Sequence, residues 1–184
     1  MPARCDGGVN VSATQTTDAT ALQLNVAMAG ALIAELALEG RIDTDAEELF
    51  VLSPAPLGSA LLDEVLAEIV AKEVPQRTEW WLLQLAMRAQ EYQPRLVAML
   101  VERGILREQE SRLMWVFKLR TYPPTTGREE REVKGRISAL LYSDDIPDAR
   151  DALLVGLLHA TRLFAAMFNA AELEALRPRI EKIT

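Results

Sequence analysis

The segment Arg95–Pro124, RLVAMLVERGILREQESRLMWVFKLRTYPP, constrains this chain more than any other. Leu96, Val97, Leu100 and Val101 recur at helical spacing, so its first part must bury one face. Gly104 follows the last charged turn, where a left-handed residue closes a helix. Beyond a polar turn at Glu108–Arg112, Leu113, Trp115, Phe117 and Leu119 alternate with Met114, Val116, Lys118 and Arg120. That is strand spacing, with apolar residues on both faces of its first half. Such a strand amid basic residues needs a partner.

The rest of the chain reads as helices separated by breakers. Ala21–Glu39 is apolar almost all round apart from Glu35 and Glu39, which marks a central buried helix. Its small residues Ala27, Ala29, Gly30 and Ala31 let a neighbouring helix approach closely. Gly40 ends it, and Arg41–Asp43 with Leu49–Leu52 reads as a short hairpin. Ser59 is positioned to cap a helix whose stripe is Leu61, Leu62, Val65, Leu66, Ile69 and Val70, with Glu68–Lys72 as a supporting pair. The spacing predicts further helices over Glu79–Gln90, from Pro94 to Gly104, over Arg128–Leu141 and over Ala149–Thr161, the last capped by Asp148. Val133, Ile137, Leu140 and Leu141 form one buried stripe, and Leu153, Leu154, Leu157 and Leu158 another. A short helix from Ala171 closes the chain near Pro178. Residues 1–20 are small and polar and predict a disordered or loosely docked tail. The fold class is therefore mainly α: a single globular helical domain over residues 21–184 with one or two short β-hairpins.

One internal echo stands out. AELALEGRI followed by ELFVLSP repeats the order of AMLVERGIL followed by RLMWVFKL, so helix, glycine and hairpin occur twice, with the glycines 64 residues apart. Both a duplication and two uses of one supersecondary solution fit this pattern.

Charge is uneven. The net value of −7 argues against nucleic acid as a partner. Yet residues 1–79 hold 4 Lys/Arg against 13 Asp/Glu, whereas residues 103–136 hold 9 against 5. The basic excess falls on the hairpin and the helix after it, a bias that an anionic surface or a solvated mixed-charge helix explains. No run of about 18 apolar residues is apparent, Val26–Leu38 being short and broken by Glu35, so no spanning helix is expected. Nor is a secretory leader, for want of a basic start followed by an apolar stretch. Cys5 is the one cysteine, which leaves no intrachain disulfide and fits a reducing, cytoplasmic setting.

Catalytic chemistry finds little footing. His159 is the single histidine, on a helix among Leu and Ala, where a satisfied or half-buried role is expected. The adjacent pairs Asp63-Glu64 and Asp144-Asp145 do not share a helix face and suit caps or turns. Phosphate-loop, nucleophile-elbow and dinucleotide motifs are absent from the sequence. No enzyme, metal site or cofactor is expected.

Five segments in order, GALIAELALEGRI (Gly30–Ile42), VLSPAPLGSALLDE (Val51–Glu64), LVERGIL (Leu100–Leu106), LMWVFKLRTYP (Leu113–Pro123) and LLVGLLHA (Leu153–Ala160), together resemble the Golgi phosphoprotein 3 family. The short loops resemble its bacterial, actinobacterial-type branch. The resemblance implies a helical domain whose apolar hairpin enters a membrane and contributes to oligomer contacts. It also implies a phosphatidylinositol 4-phosphate headgroup pocket built from a Trp, an Arg on the first helix and two Arg before LVERGIL. Here those positions fall near Thr20 and on Ala29, Gln90 and Gln93, while Arg95 matches a further family Arg. The family's N-terminal apolar segment has no counterpart in residues 1–20, so an upstream start or loss of that piece is expected.

The sequence thus points to a peripheral, adaptor-like protein on the cytoplasmic face of a membrane. It predicts contact through Leu113, Met114, Trp115, Val116 and Phe117, with Arg95, Arg107, Arg112, Lys118 and Arg120 as candidates for a phosphoinositide-like anionic headgroup. The alternative is a homo-oligomeric scaffold whose hairpin packs on another subunit. A winged-helix-like nucleic-acid module is a third and weaker fit to helix–hairpin units.

Overall fold

The helix α1 (Val11–Leu38) runs through the first half of the molecule, and its residues Ala29, Leu32, Ile33 and Leu36 recur every three to four positions on one buried face. The structure, a computed structural model, describes residues 11–45, 47–113, 117–121 and 123–184. Side chains are described for all of these except residues 11–20, 109–113 and 117–121. After α1 come the hairpin β1 (Ile42–Thr44) and β2 (Leu49–Val51), then α2 (Ala60–Val70), α3 (Thr78–Met87) and α4 (Ala89–Glu102). A second hairpin, β3 (Gln109–Leu113) with β4 (Phe117–Thr121), leads to α5 (Arg128–Leu141), α6 (Ala149–Ala160), a 3-10 turn at Leu163–Ala166 and α7 (Ala170–Ile183). The class is mainly α, with two small antiparallel hairpins among the described residues.

Two apolar clusters divide the interior. The first joins α1 to Ile42, Leu49, Leu61, Val65, Trp81, Leu85 and Tyr92. The second joins Ile137, Leu141, Val155, Phe164, Leu176 and Ile180. They meet where α1 crosses α6. A Cβ at Gly30 would collide with the Leu157 side chain, so the small residue permits the close approach. Beside it Arg150 grips Glu35 with two parallel bonds, Nη1 to Oε2 at 2.6 Å and Nη2 to Oε1 at 3.0 Å.

The two helix–glycine–hairpin units close by one geometry. Gly40 (φ +64°) and Gly104 (φ +71°) occupy the left-handed region. The Gly40 N–H bonds to the Ala37 carbonyl and the Arg41 N–H to that of Leu36. The Gly104 N–H bonds to the Val101 carbonyl and the Ile105 N–H to that of Leu100, all four at 2.9 Å. Each is a Schellman-type helix end.

Several expectations are corrected. Residues 11–20, expected to belong to a tail, carry the helical backbone of α1, whereas residues 1–10, with Cys5, lie outside the described residues. The helix break falls at Arg88 (φ −98°, ψ 11°), not between Gln90 and Pro94. Pro94 sits inside α4, where it forgoes a single bond to the Gln90 carbonyl. Pro178 likewise lies inside α7, which continues to Ile183 and starts with an Asn169–Glu172 capping box. Ser59 makes no side-chain cap; Asp63 instead accepts the Leu57 and Gly58 N–H groups, at 2.6 and 3.0 Å. Glu68 pairs with Arg88, and Lys72 lies 4.5 Å from the Trp80 ring centre. Val70, Val133, Leu153 and His159 are exposed, while Val155 is the fully buried residue of α6. Asp148 caps α6 as expected, accepting the Asp151 N–H at 2.7 Å.

By length and composition Ala21–Leu38 is apolar enough to cross a membrane, so the sequence estimate of its apolar length was too short. In the fold this helix packs against α2, α3, α4 and α6. Its single charge in that window, Glu35, is bound by Arg150.

Candidate functional site

The hairpin that carries the apolar run differs from the strand read in the sequence. The polar stretch from Gln109 is itself β3, and the apolar run Leu113–Phe117 straddles the connection to β4. The reason is pairing. Gln109–Leu113 offers Phe117–Thr121 a full antiparallel ladder, which leaves three residues to join the strands. Those three, Met114, Trp115 and Val116, lie outside the described residues.

The register sorts the remaining positions. Arg112 opposes Lys118 and Glu110 opposes Arg120, while Leu113 opposes Phe117 and Ser111 opposes Leu119. Since successive positions alternate along a strand, the 110/120 and 112/118 positions share one face of the ribbon, and the 109/121, 111/119 and 113/117 positions share the other. Its foot is fixed by the Arg107 N–H to the Pro123 carbonyl at 3.0 Å and the Thr125 N–H to the Ile105 carbonyl at 2.9 Å. Arg107 is exposed there, as is Arg103 at the C-terminal end of α4.

Arg95 has a different setting. On α4 its Nη1 bonds the Glu64 carboxylate at 2.7 Å. Seven residues earlier, at the N-cap of α4, Arg88 bonds Glu68 at 2.7 Å and Glu91 at 3.2 Å, with Glu64 at 3.9 Å. The hydrogen bond that Arg88 donates to Glu68 raises the Arg88 pKa above its ordinary value, against the cost of partial burial. Beneath this cluster Tyr92 is fully buried, its hydroxyl finds no partner among the described residues, and burial pushes its pKa upward. Three carboxylates from α2 and α4 therefore hold the two arginines.

The positions that correspond to the family's headgroup pocket are dispersed in character. Ala29 is buried in the first cluster, whereas Gln90 and Gln93 are exposed on the first turns of α4. On α5 the basic residues are largely spoken for: Arg128 pairs with Glu132, Lys134 with Glu130 and Arg136 with Asp151, at 2.7, 2.8 and 3.0 Å. The basic excess of residues 103–136 thus divides into a self-neutralised helix and a hairpin segment. Among the described residues no three His, Cys, Asp or Glu side chains gather to hold a metal.

The model of the Golgi phosphoprotein 3 family (GPP34) matches residues 10–184, α1 to α7 inclusive. The chain belongs to the Golgi phosphoprotein 3 family. The match takes in the first turns of α1. Within this family member the mainly helical domain and the glycine-closed hairpin agree with what the ordered motifs imply.

Sequence reasoning missed one feature altogether, a cleft between α1, α2, α4 and the start of α6 lined in part by Met28, Leu32, Leu62, Leu96, Met99 and Arg103. Its signal was the spacing of Glu35 and Glu39 on an otherwise apolar helix; the partner, Arg150, lies 115 residues away.

Proposed function

We propose that this protein is a peripheral, non-enzymatic membrane adaptor that meets anionic, phosphoinositide-type lipid with the β3–β4 hairpin at the cytoplasmic face. The apolar run Leu113–Phe117 enters the bilayer interface, and Arg107, Arg112, Lys118 and Arg120 meet headgroups. The β3–β4 register carries the reading, because it sets Arg112 beside Lys118 immediately behind the apolar end of the hairpin. Each basic residue close to an anionic surface contributes about 1 kcal/mol, so four give weak, reversible attachment that salt weakens. Family membership favours lipid contact; the pairing of Arg95 with Glu64 and the residues at Ala29, Gln90 and Gln93 favour the hairpin over a headgroup pocket as its seat.

Vesicle flotation tests it. With phosphatidylinositol 4-phosphate in phosphatidylcholine vesicles, the protein is expected to co-float, and Trp115→Asp to abolish this while leaving the melting temperature unchanged. Failure of the wild-type protein to float sinks the proposal. If Trp115→Asp floats normally but converts an oligomer to a monomer by analytical ultracentrifugation, the hairpin's partner is a second copy of the chain.

A further inference from the structure

The cleft between α1, α2, α4 and the start of α6 encloses about 580 Å³, within the size range of small-molecule sites. Met28, Leu32, Leu61, Leu62, Leu96 and Met99 give it an apolar lining. Two of these are methionines, whose unbranched thioethers adapt to a flexible chain. Four charged residues also line it, and they are not equivalent. Arg150 spends two donors on Glu35 and lies 3.8 Å from Glu39, so these three form a closed cluster. Arg103, at the C-terminal end of α4, is exposed and has no ion pair or side-chain hydrogen bond among the described residues. An apolar trough with one uncommitted cation matches a ligand with an alkyl body and a single negative head.

We infer that this cleft binds a long-chain carboxylate, with the alkyl chain along Leu32, Leu62, Leu96 and Met99 and the head on Arg103. None of Ala29, Gln90, Gln93 and Arg107 lines the cleft. The site therefore stands or falls separately from the membrane reading.

Isothermal titration of the full chain with dodecanoate, below its micellar concentration and without vesicles, tests the assignment. One saturable site per chain is expected, with dodecyltrimethylammonium binding at least about ten-fold more weakly. Arg103→Ala removes a charge-assisted contact and is expected to weaken dodecanoate binding about ten-fold or more. Met99→Trp fills the trough and is expected to abolish binding; because that variant can fail to fold, the surface change Arg103→Ala decides. Absence of saturable binding to the wild type overturns the inference. So does equal affinity for the cationic probe, or unchanged affinity in Arg103→Ala.

Discussion

Arg95 shows how a residue's role depends on a neighbour far away in sequence. Its match to a family arginine makes it a headgroup candidate, but Glu64, 31 positions earlier, accepts its guanidinium. A lipid phosphate at this place must compete with that carboxylate. Both side chains are about 40% exposed (39% and 41%), so the pair contributes at most ~1 kcal/mol to folding. Glu64→Gln is accordingly expected to change stability by less than ~1 kcal/mol in a urea titration. In flotation on anionic vesicles it is expected to increase binding, and an unchanged floating fraction would remove Arg95 from the lipid-contacting set. Spacing in the sequence showed that Arg95 and Glu64 both lie on helices. It could not show that α2 and α4 bring them together.

At the scale of elements, the helix ends were more legible than the hairpin. Gly40, Gly104 and Asp148 announce their roles through local backbone chemistry, and each adopts it. Pro94 and Pro178 mark boundaries by sequence rule, yet each lies inside its helix at the loss of one backbone bond. The hairpin was misread for a different reason. Alternation of Leu113, Trp115, Phe117 and Leu119 is the same whether the run is one strand or bends midway, and only the pairing with Gln109–Leu113 distinguishes the two. The two glycine closures also make a prediction. Gly104→Ala must hold an L-residue at φ +71°, which costs about 1–2 kcal/mol, and should lower the denaturation midpoint accordingly. Asn at the same position is expected to cost less, since it tolerates the left-handed region.

For the molecule as a whole, the two apolar clusters set what a core substitution does. Leu85 is 1% exposed in the first and Ile137 0% exposed in the second. Leu85→Ala and Ile137→Ala are each expected to cost about 2–5 kcal/mol in chemical denaturation. Because the clusters share few side chains, the double variant should lose close to the sum of the two. A marked shortfall from additivity would mean that the two clusters are energetically coupled through the α1–α6 crossing. This division is not legible in the sequence, since Val155 is buried among Ile137, Leu141, Phe164, Leu176 and Ile180, residues that only the fold brings to it, while Leu153 stays exposed.

The crossing also bears on the order of assembly. Glu35 and Arg150 lie 115 residues apart, so their bond closes a loop spanning most of the chain. Such long-range closures form late, after local helix pairs have reduced the entropy they must overcome. During synthesis α1 packs with α2, α3 and α4 well before α6 has emerged. Until then the strip of α1 around Gly30 and Glu35 faces solvent with its partner still unmade. Gly30 gains its contact with Leu157, and Glu35 its arginine, only once the second half of the chain has been made.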